Sequence, residues 1–99
     1  MIVKIHKNPQ GQTILAICDP ELLGKKFTQD DFQLDLTGDF YKGEEKSEEE
    51  LKELLKDAYI INAVGKKCID FLLKNNLIEK EKIITIDNIP HAQCVIVRE

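Results

Sequence analysis

The sequence predicts a single α/β domain over residues 1–99, in which a mixed or mainly antiparallel sheet of four or five strands carries two principal helices on one face. Three observations predict it. The 99 residues suit one core, because cores usually divide only beyond about 250 residues. Short apolar runs have the two-residue period of strands, and two longer segments carry apolar residues at helical spacing.

The first two strands should form a hairpin. Residues 2–7 and the β-rich run 12–18 flank the turn-forming segment Asn8–Gly11. Both faces of the run 12–18 are apolar, so it should be a central strand. Asp19, followed by a proline, resembles the N-cap of a short helical turn.

The middle of the chain predicts an outer strand and then a helix. Residues 32–36 alternate apolar and polar side chains, as in a strand with one wet face. Ser47 and Glu50 fit a capping box that opens a helix over 47–58. Residues 59–64 are ambiguous, because their isoleucines favour a strand while the helix could continue to Asn62.

A second helix is predicted over 65–75, with Asn75 and Asn76 at its C-terminal cap. Two further strands should follow at 82–86 and 93–97, separated by a loop at 87–92.

Composition excludes several classes of protein. A content of 42% apolar and 32% charged residues is unlike that of a disordered tail or a fibre. No apolar run approaches the roughly 20 residues of a membrane span, and the N-terminus lacks a signal-peptide pattern, so we expect a soluble cytoplasmic protein without membrane contact. The three cysteines form no close pair, which favours reduced thiols. We expect no cofactor.

Charge is unevenly distributed. The formal net charge of −4 disfavours strong nonspecific binding of nucleic acid. Residues 28–58 carry eleven acids and four lysines, a local charge of −7, so the flanking segments together carry +3. A modest anion-binding face should therefore lie on those flanks.

The segment Ile89-Pro90-His91-Ala92-Gln93-Cys94 places an imidazole, an amide and a thiol at the start of an apolar strand. His91 could satisfy backbone groups, contact a ligand, or act as a base for Cys94. Residues 91 and 94 would point to opposite faces of a regular strand, so a His-Cys pair would need a bend. A metal site built from His6, His91, Cys18 and Cys94 lacks any zinc spacing pattern, and we predict no metal.

Two Gly-Lys-Lys clusters contain Lys25 and Lys26, and Lys66 and Lys67. The second cluster opens a predicted helix, whose backbone N–H groups could receive a phosphate or carboxylate. Solvated lysines beside structural glycines are the alternative.

Other candidate features have simpler explanations. The glutamates of 44–53 mostly stabilise a helix start, although they could contact a basic protein. Phe40 and Tyr41 could stack on bases, but an acidic segment favours their anchoring the loop to the core.

Several segments together resemble a known family. They are Met1–Lys7, Cys18-Asp19 with Glu21–Lys25, Phe40-Tyr41-x-Gly43, Asn62–Gly65 and Ile89–Gln93. In these the chain resembles the archaeal proteins called domain of unknown function 424. The resemblance covers nearly the whole chain and implies a small archaeal cytoplasmic protein. It implies no activity and no catalytic residues.

The sequence thus favours a noncatalytic binding module for RNA or a ribonucleoprotein, associated with translation by analogy with other small archaeal proteins. We expect the ligand-binding residues to be His91, Gln93, Asn62, Lys25, Lys26, Lys66 and Lys67. One alternative is a small-molecule enzyme that uses His91 as acid or base. Another is a protein-interaction adaptor that uses the acidic helix 47–58.

Overall fold

The structure, a computed structural model, describes residues 1–96. Its strands are β1 (Ile2–Lys7), β2 (Thr13–Cys18), β3 (Lys26–Gln29), β4 (Phe32–Asp35), β5 (Glu44–Glu45), β6 (Ala58–Val64), β7 (Ile84–Ile86) and β8 (Ile89–Val95). Its α-helices are α1 (Glu48–Leu55) and α2 (Lys66–Lys74). Short 3₁₀ turns lie at Pro20–Leu22 and Lys80–Lys82.

Six strands form one mixed sheet in the order β5-β1-β2-β6-β8-β7. β2 and β6 are parallel, and the other neighbouring pairs are antiparallel. β3 and β4 form a separate antiparallel hairpin. The predicted single α+β domain with a mixed sheet is confirmed, but the predicted strand number of four or five is too low. Two strands were not predicted: β5 has only two residues, and β3 has one apolar residue.

Other elements pack on both faces of the sheet, although part of one face stays accessible. The two central strands, β2 and β6, are accordingly mostly apolar, with Thr13 and Asn62 as polar exceptions. On the helix face, Leu15, Ile17 and Ile61 pack with Leu51 of α1 and Phe71 and Leu72 of α2. On the other face, Cys18 and Val64 pack beneath Leu34, Leu36 and Tyr41, which come from the β3–β4 hairpin and the segment after it. Both helices lie on one face, as predicted.

The capping box at the start of α1 is confirmed. The Glu50 N–H donates to the Ser47 hydroxyl, and the Ser47 N–H donates to the Glu50 carboxylate. The helix ends at Leu55, however, and Ala58 begins β6 rather than ending the helix. The ambiguous segment is a strand because it pairs in parallel with β2 on one side and with β8 on the other.

The predicted loop at 87–92 is wrong. Only Asp87 and Asn88 form the turn, and both have positive φ, as a two-residue hairpin turn requires. Residues from Ile89 onward belong to β8, so His91 lies within a strand. Val97, the last residue of the predicted strand, lies outside the described residues.

The C-terminal cap of α2 is confirmed. The backbone N–H of Asn75 donates to the Phe71 carbonyl, and Asn76 has a positive φ of 57°.

Candidate functional site

Three of the predicted site residues lie on one face of the sheet. Asn62 of β6 is the direct partner of Gln93 of β8, and Val64 is the partner of His91. Because strand residues two apart point to the same face, Asn62 and Val64 share the face of Gln93 and His91. This face is opposite to the one that carries the helices.

Part of this face is uncovered. The β3–β4 hairpin and the segment after it, which we call the hairpin layer, bury Ala16, Cys18 and Val64 completely. Side chains of the same face that lie further from this layer remain accessible. We call the accessible area the open face, and it comprises Lys4, His6, Ile14, Ile60, Asn62, His91, Gln93 and Val95. Gln93 is exposed, Val95 is 52% exposed, and the other six are partly exposed.

The polar side chains at the centre of the open face have no hydrogen-bond partner in the described part of the chain. Within residues 1–96, the Asn62 and Gln93 amides and the His91 imidazole make no hydrogen bond to another described group. His91 therefore does not satisfy backbone groups, which was the structural alternative. Partial burial lowers the pKa of His91, which favours a neutral ring with one donor and one acceptor nitrogen.

A stacked aromatic pair lies at one corner of the open face. The rings of His6 and Phe40 lie 4.6 Å apart and nearly parallel, and His6 Nε2 is 2.8 Å from the Phe40 carbonyl oxygen. Phe40 stays 43% exposed, whereas Tyr41 is buried and anchors the loop as expected. Phe40 thus presents an accessible aromatic surface that the sequence alone assigned to the core.

The four predicted lysines are exposed but lie in two different layers. β2 and β6 are parallel and end at the same edge of the sheet. From that edge, Lys25 and Lys26 lead into the hairpin layer, and Lys66 and Lys67 begin α2 in the helix layer. Lys67 lines a groove of the helix layer with Lys46 and Lys74, so the structure does not bring it together with Asn62 and Gln93.

The backbone of the second lysine cluster is already occupied by an anion. The Asp19 carboxylate accepts hydrogen bonds of 3.0 Å from the N–H groups of both Lys67 and Cys68. The sequence allowed a phosphate or a carboxylate at these groups, and the structure places a carboxylate of the chain itself there, which leaves the Lys67 and Cys68 N–H groups unavailable to an external phosphate. Asp19 occupies the N-cap position of the short turn Pro20–Leu22, as predicted, but its side chain makes no cap hydrogen bond to that turn.

The role of Asp19 as the cap of α2 was not predicted from the sequence. It is only 3% exposed, and its helix begins 47 positions later in the chain. The one sequence signal is Gly65, the N-cap position of α2, which has no side chain to cap the helix itself.

The geometry disfavours the proposed His-Cys pair. Cys94 points to the helix face, where it packs against the core, and His91 points to the open face. Burial raises the pKa of the Cys94 thiol, which makes its nucleophilic thiolate scarcer at neutral pH. Cys18 is buried too, and burial raises its pKa to about 11.

Across residues 1–96, no group of three or more His, Cys, Asp or Glu side chains is arranged to hold a metal ion. His6 and His91 lie on β1 and β8, which are separated by two strands, about 14 Å across the sheet.

Many carboxylates of the acidic helix have partners within the chain. Glu50 closes the capping box, Glu53 pairs with Lys56, and Glu48 pairs with Lys74 of α2. These contacts support the structural explanation of the acidic residues over a contact surface for a basic protein.

Comparisons with known proteins agree with the fold. The model of a family described as "Protein of unknown function (DUF424)" matches residues 6–97. A crystal structure of an uncharacterized conserved protein from Methanopyrus kandleri is similar, with a TM-score of 0.79 and 23% identity over 99% of this chain and 93% of that chain. No curated protein matches significantly. Among the described residues, no helix has the length and apolar character needed to span a membrane.

Proposed function

We propose that this chain, which belongs to the DUF424 family of proteins of unknown function, is a noncatalytic binding module for RNA or a ribonucleoprotein. The open face is its contact surface in this proposal. The observation that carries the proposal is the set Asn62, Gln93 and His91. Their polar groups share the open face and have no partner among the described residues. Such groups can bond the edges of unpaired bases without breaking any contact of the fold.

The surroundings of these groups suit flat, partly apolar bases. Ile14, Ile60 and Val95 form an apolar row beside the amides, and the accessible Phe40 ring offers a stacking surface. Single-stranded RNA is commonly recognised by stacking together with hydrogen bonds to base edges. A duplex would present mainly phosphates, and Lys4 is the only cationic residue of the open face.

The exposed lysines supply the electrostatic part of the proposal. Lys25, Lys26, Lys66 and Lys67 follow the ends of β2 and β6 that the β3–β4 hairpin covers, so they do not border the open face. An RNA strand would reach them only where it extends past the hairpin. Their contribution would depend on salt, whereas that of the amides would depend on which base is bound.

The enzyme alternative has less support, because His91 and Cys94 point to opposite faces and the Cys94 thiol has a raised pKa. The adaptor alternative is weakened by the ion pairs that α1 makes within the chain.

The test is the affinity for a fluorescein-labelled, single-stranded RNA of mixed sequence, measured by fluorescence anisotropy. We expect the double variant Asn62→Ala with Gln93→Ala to bind at least about tenfold more weakly, because two directional hydrogen bonds are lost. Gln33→Ala, an exposed glutamine of the β3–β4 hairpin, is the matched control and should bind like the parent protein.

A second pair of variants tests the lysines. Lys66→Glu with Lys67→Glu should weaken binding and flatten its salt dependence, whereas the exposed pair Lys80→Glu with Lys82→Glu controls for net charge. Equal affinity of the parent protein and the Asn62/Gln93 double variant, or an affinity that salt does not change, would rule out the proposal.

A further inference from the structure

The outer edge of β8 is unpaired beyond the end of β7. β7 pairs with β8 only at residues 89–91. The N–H of Ile96 donates to Tyr59 and the N–H of Gly65 donates to the Pro90 carbonyl, so the even-numbered residues of β8 direct their backbone groups toward β6. Gln93 and Val95 therefore direct their N–H and C=O groups outward, where no group within residues 1–96 pairs with them.

A groove of about 590 Å³ runs along this edge. The chain that precedes β7 turns away as the 3₁₀ turn Lys80–Lys82, so none of the strands described within residues 1–96 lies on the outer side of Gln93 and Val95. Leu77 and Ile78 line the groove together with Cys94, whose side chain points to the helix face. The groove thus combines free backbone donors and acceptors with an apolar wall.

We propose that this edge binds an extended peptide segment of a partner protein as an added strand. A polypeptide backbone in extended form presents N–H and C=O groups at the spacing that Gln93 and Val95 offer, and up to four hydrogen bonds can form. This surface is separate from the open face, because it uses the backbone of Gln93 rather than its side chain.

The geometry also defines the chemistry of the peptide. The peptide residue opposite Cys94 points to the helix face, where Leu77 and Ile78 favour an apolar side chain. Glu79 and Lys82 line the same groove, so each can pair with an oppositely charged side chain that flanks this apolar residue. The peptide segment must be short, because β7 already pairs with residues 89–91 of β8 and leaves only the edge at Gln93 and Val95.

The probe is a capped pentapeptide, Lys-Thr-Leu-Val-Lys, titrated into the ¹⁵N-labelled full chain and followed by NMR. We expect saturable shifts at the amides of Gln93, Val95, Leu77 and Ile78, and slower hydrogen exchange at Gln93 and Val95. A peptide N-methylated at the groups that face β8 should bind about tenfold more weakly, because it lacks those donors while the protein is unchanged. A peptide with aspartate in place of the central leucine should also bind more weakly.

Two protein variants separate this proposal from RNA binding. Val95→Pro removes one outward N–H at an edge position that tolerates proline, and it should weaken peptide binding. Asn62→Ala lies on β6, outside the groove, and should bind the peptide like the parent protein, although it should lose RNA affinity. Loss of RNA binding alone would leave the peptide site standing, and loss of peptide binding alone would leave the open face standing.

Equal binding of the N-methylated and unmodified peptides would overturn the proposal. So would the absence of shifts at millimolar peptide. Protection of the Gln93 and Val95 amides in the peptide-free protein that rises with protein concentration, together with a doubled mass in solution, would assign the edge to a second copy of the chain and would also overturn it.

Discussion

Replacement of Gly65 by alanine should be strongly destabilising. Gly65 has φ of 108° and ψ of 155°, a region that only glycine adopts readily. A methyl group added there would lie 2.6 Å from Oδ2 of Asp19 and closer still to its Cγ. The substitution therefore strains the backbone and displaces the carboxylate that caps α2.

The size of the effect follows from these two contributions. Backbone strain of this kind costs about 1–3 kcal/mol, and loss of a helix cap costs about 1–2 kcal/mol. We therefore expect Gly65→Ala to lower the free energy of unfolding by about 2–5 kcal/mol, a large fraction of the roughly 5–15 kcal/mol of a typical domain.

Urea unfolding followed by far-ultraviolet circular dichroism measures this change. Two other glycines provide controls. Gly38→Ala meets no atom within 4 Å and should stay within about 0.5 kcal/mol of the parent protein. Gly11 has φ of 80° in open space, so Gly11→Ala reports backbone strain without a clash. A loss for Gly65→Ala no larger than that for Gly11→Ala would refute the role of Asp19.

A double-mutant cycle with Asp19→Ala isolates the coupling between the two residues. Once the carboxylate is absent, the methyl group at position 65 has no cap to displace. The double variant should therefore be more stable than the sum of the single losses predicts, by about 1–2 kcal/mol. Additive losses would show that the methyl group does not act through the cap.

Three further predictions concern other parts of the molecule. Gly43→Ala should lower the free energy of unfolding, measured with urea, by more than about 2 kcal/mol, because its methyl group would overlap the carbonyl oxygen of Val3 in β1. Stability equal to that of Gly38→Ala would contradict this. Burial raises the pKa of Tyr41 to about 12, above that of an unfolded tyrosine, so Tyr41 contributes stability below about pH 10 that is lost as the pH rises to about 12. The urea midpoint should fall across this interval, and Tyr41→Phe should reduce the fall. The Cys94 thiol should react with a disulfide reagent more slowly in the native protein than in urea, because burial raises its pKa in the folded state. Equally fast reaction in the two states would restore the enzyme alternative.

Local patterns predicted the elements whose determinants lie close together in the chain. The capping box of Ser47 and Glu50 placed the start of α1, because its two hydrogen bonds join residues three positions apart. The asparagines at 75 and 76 marked the end of α2 for the same reason. The apolar residues on both faces of 13–18 predicted a central strand, because such a strand needs cover on each side.

Errors arose where a distant partner decided the outcome. Asp19 lies beside a proline in the sequence, and that neighbourhood is typical of a local cap. In the folded chain, β2 and β6 end together, and Asp19 reaches the amides of α2 instead. The end of α1 was placed too late because Ala58 fits the helical stripe, while pairing with Thr13 of β2 draws it into β6.

Sequence patterns alone predicted an α/β composition, most element types and the residue types of the candidate site. Only the tertiary structure decided which of those residues meet. Strand register places Asn62 opposite Gln93 and sends His91 and Cys94 to opposite faces, and the parallel pairing of β2 with β6 separates the lysine clusters into two layers. The physical reason is that a side chain's orientation in a strand is local, whereas its neighbours depend on pairings between residues far apart in the chain.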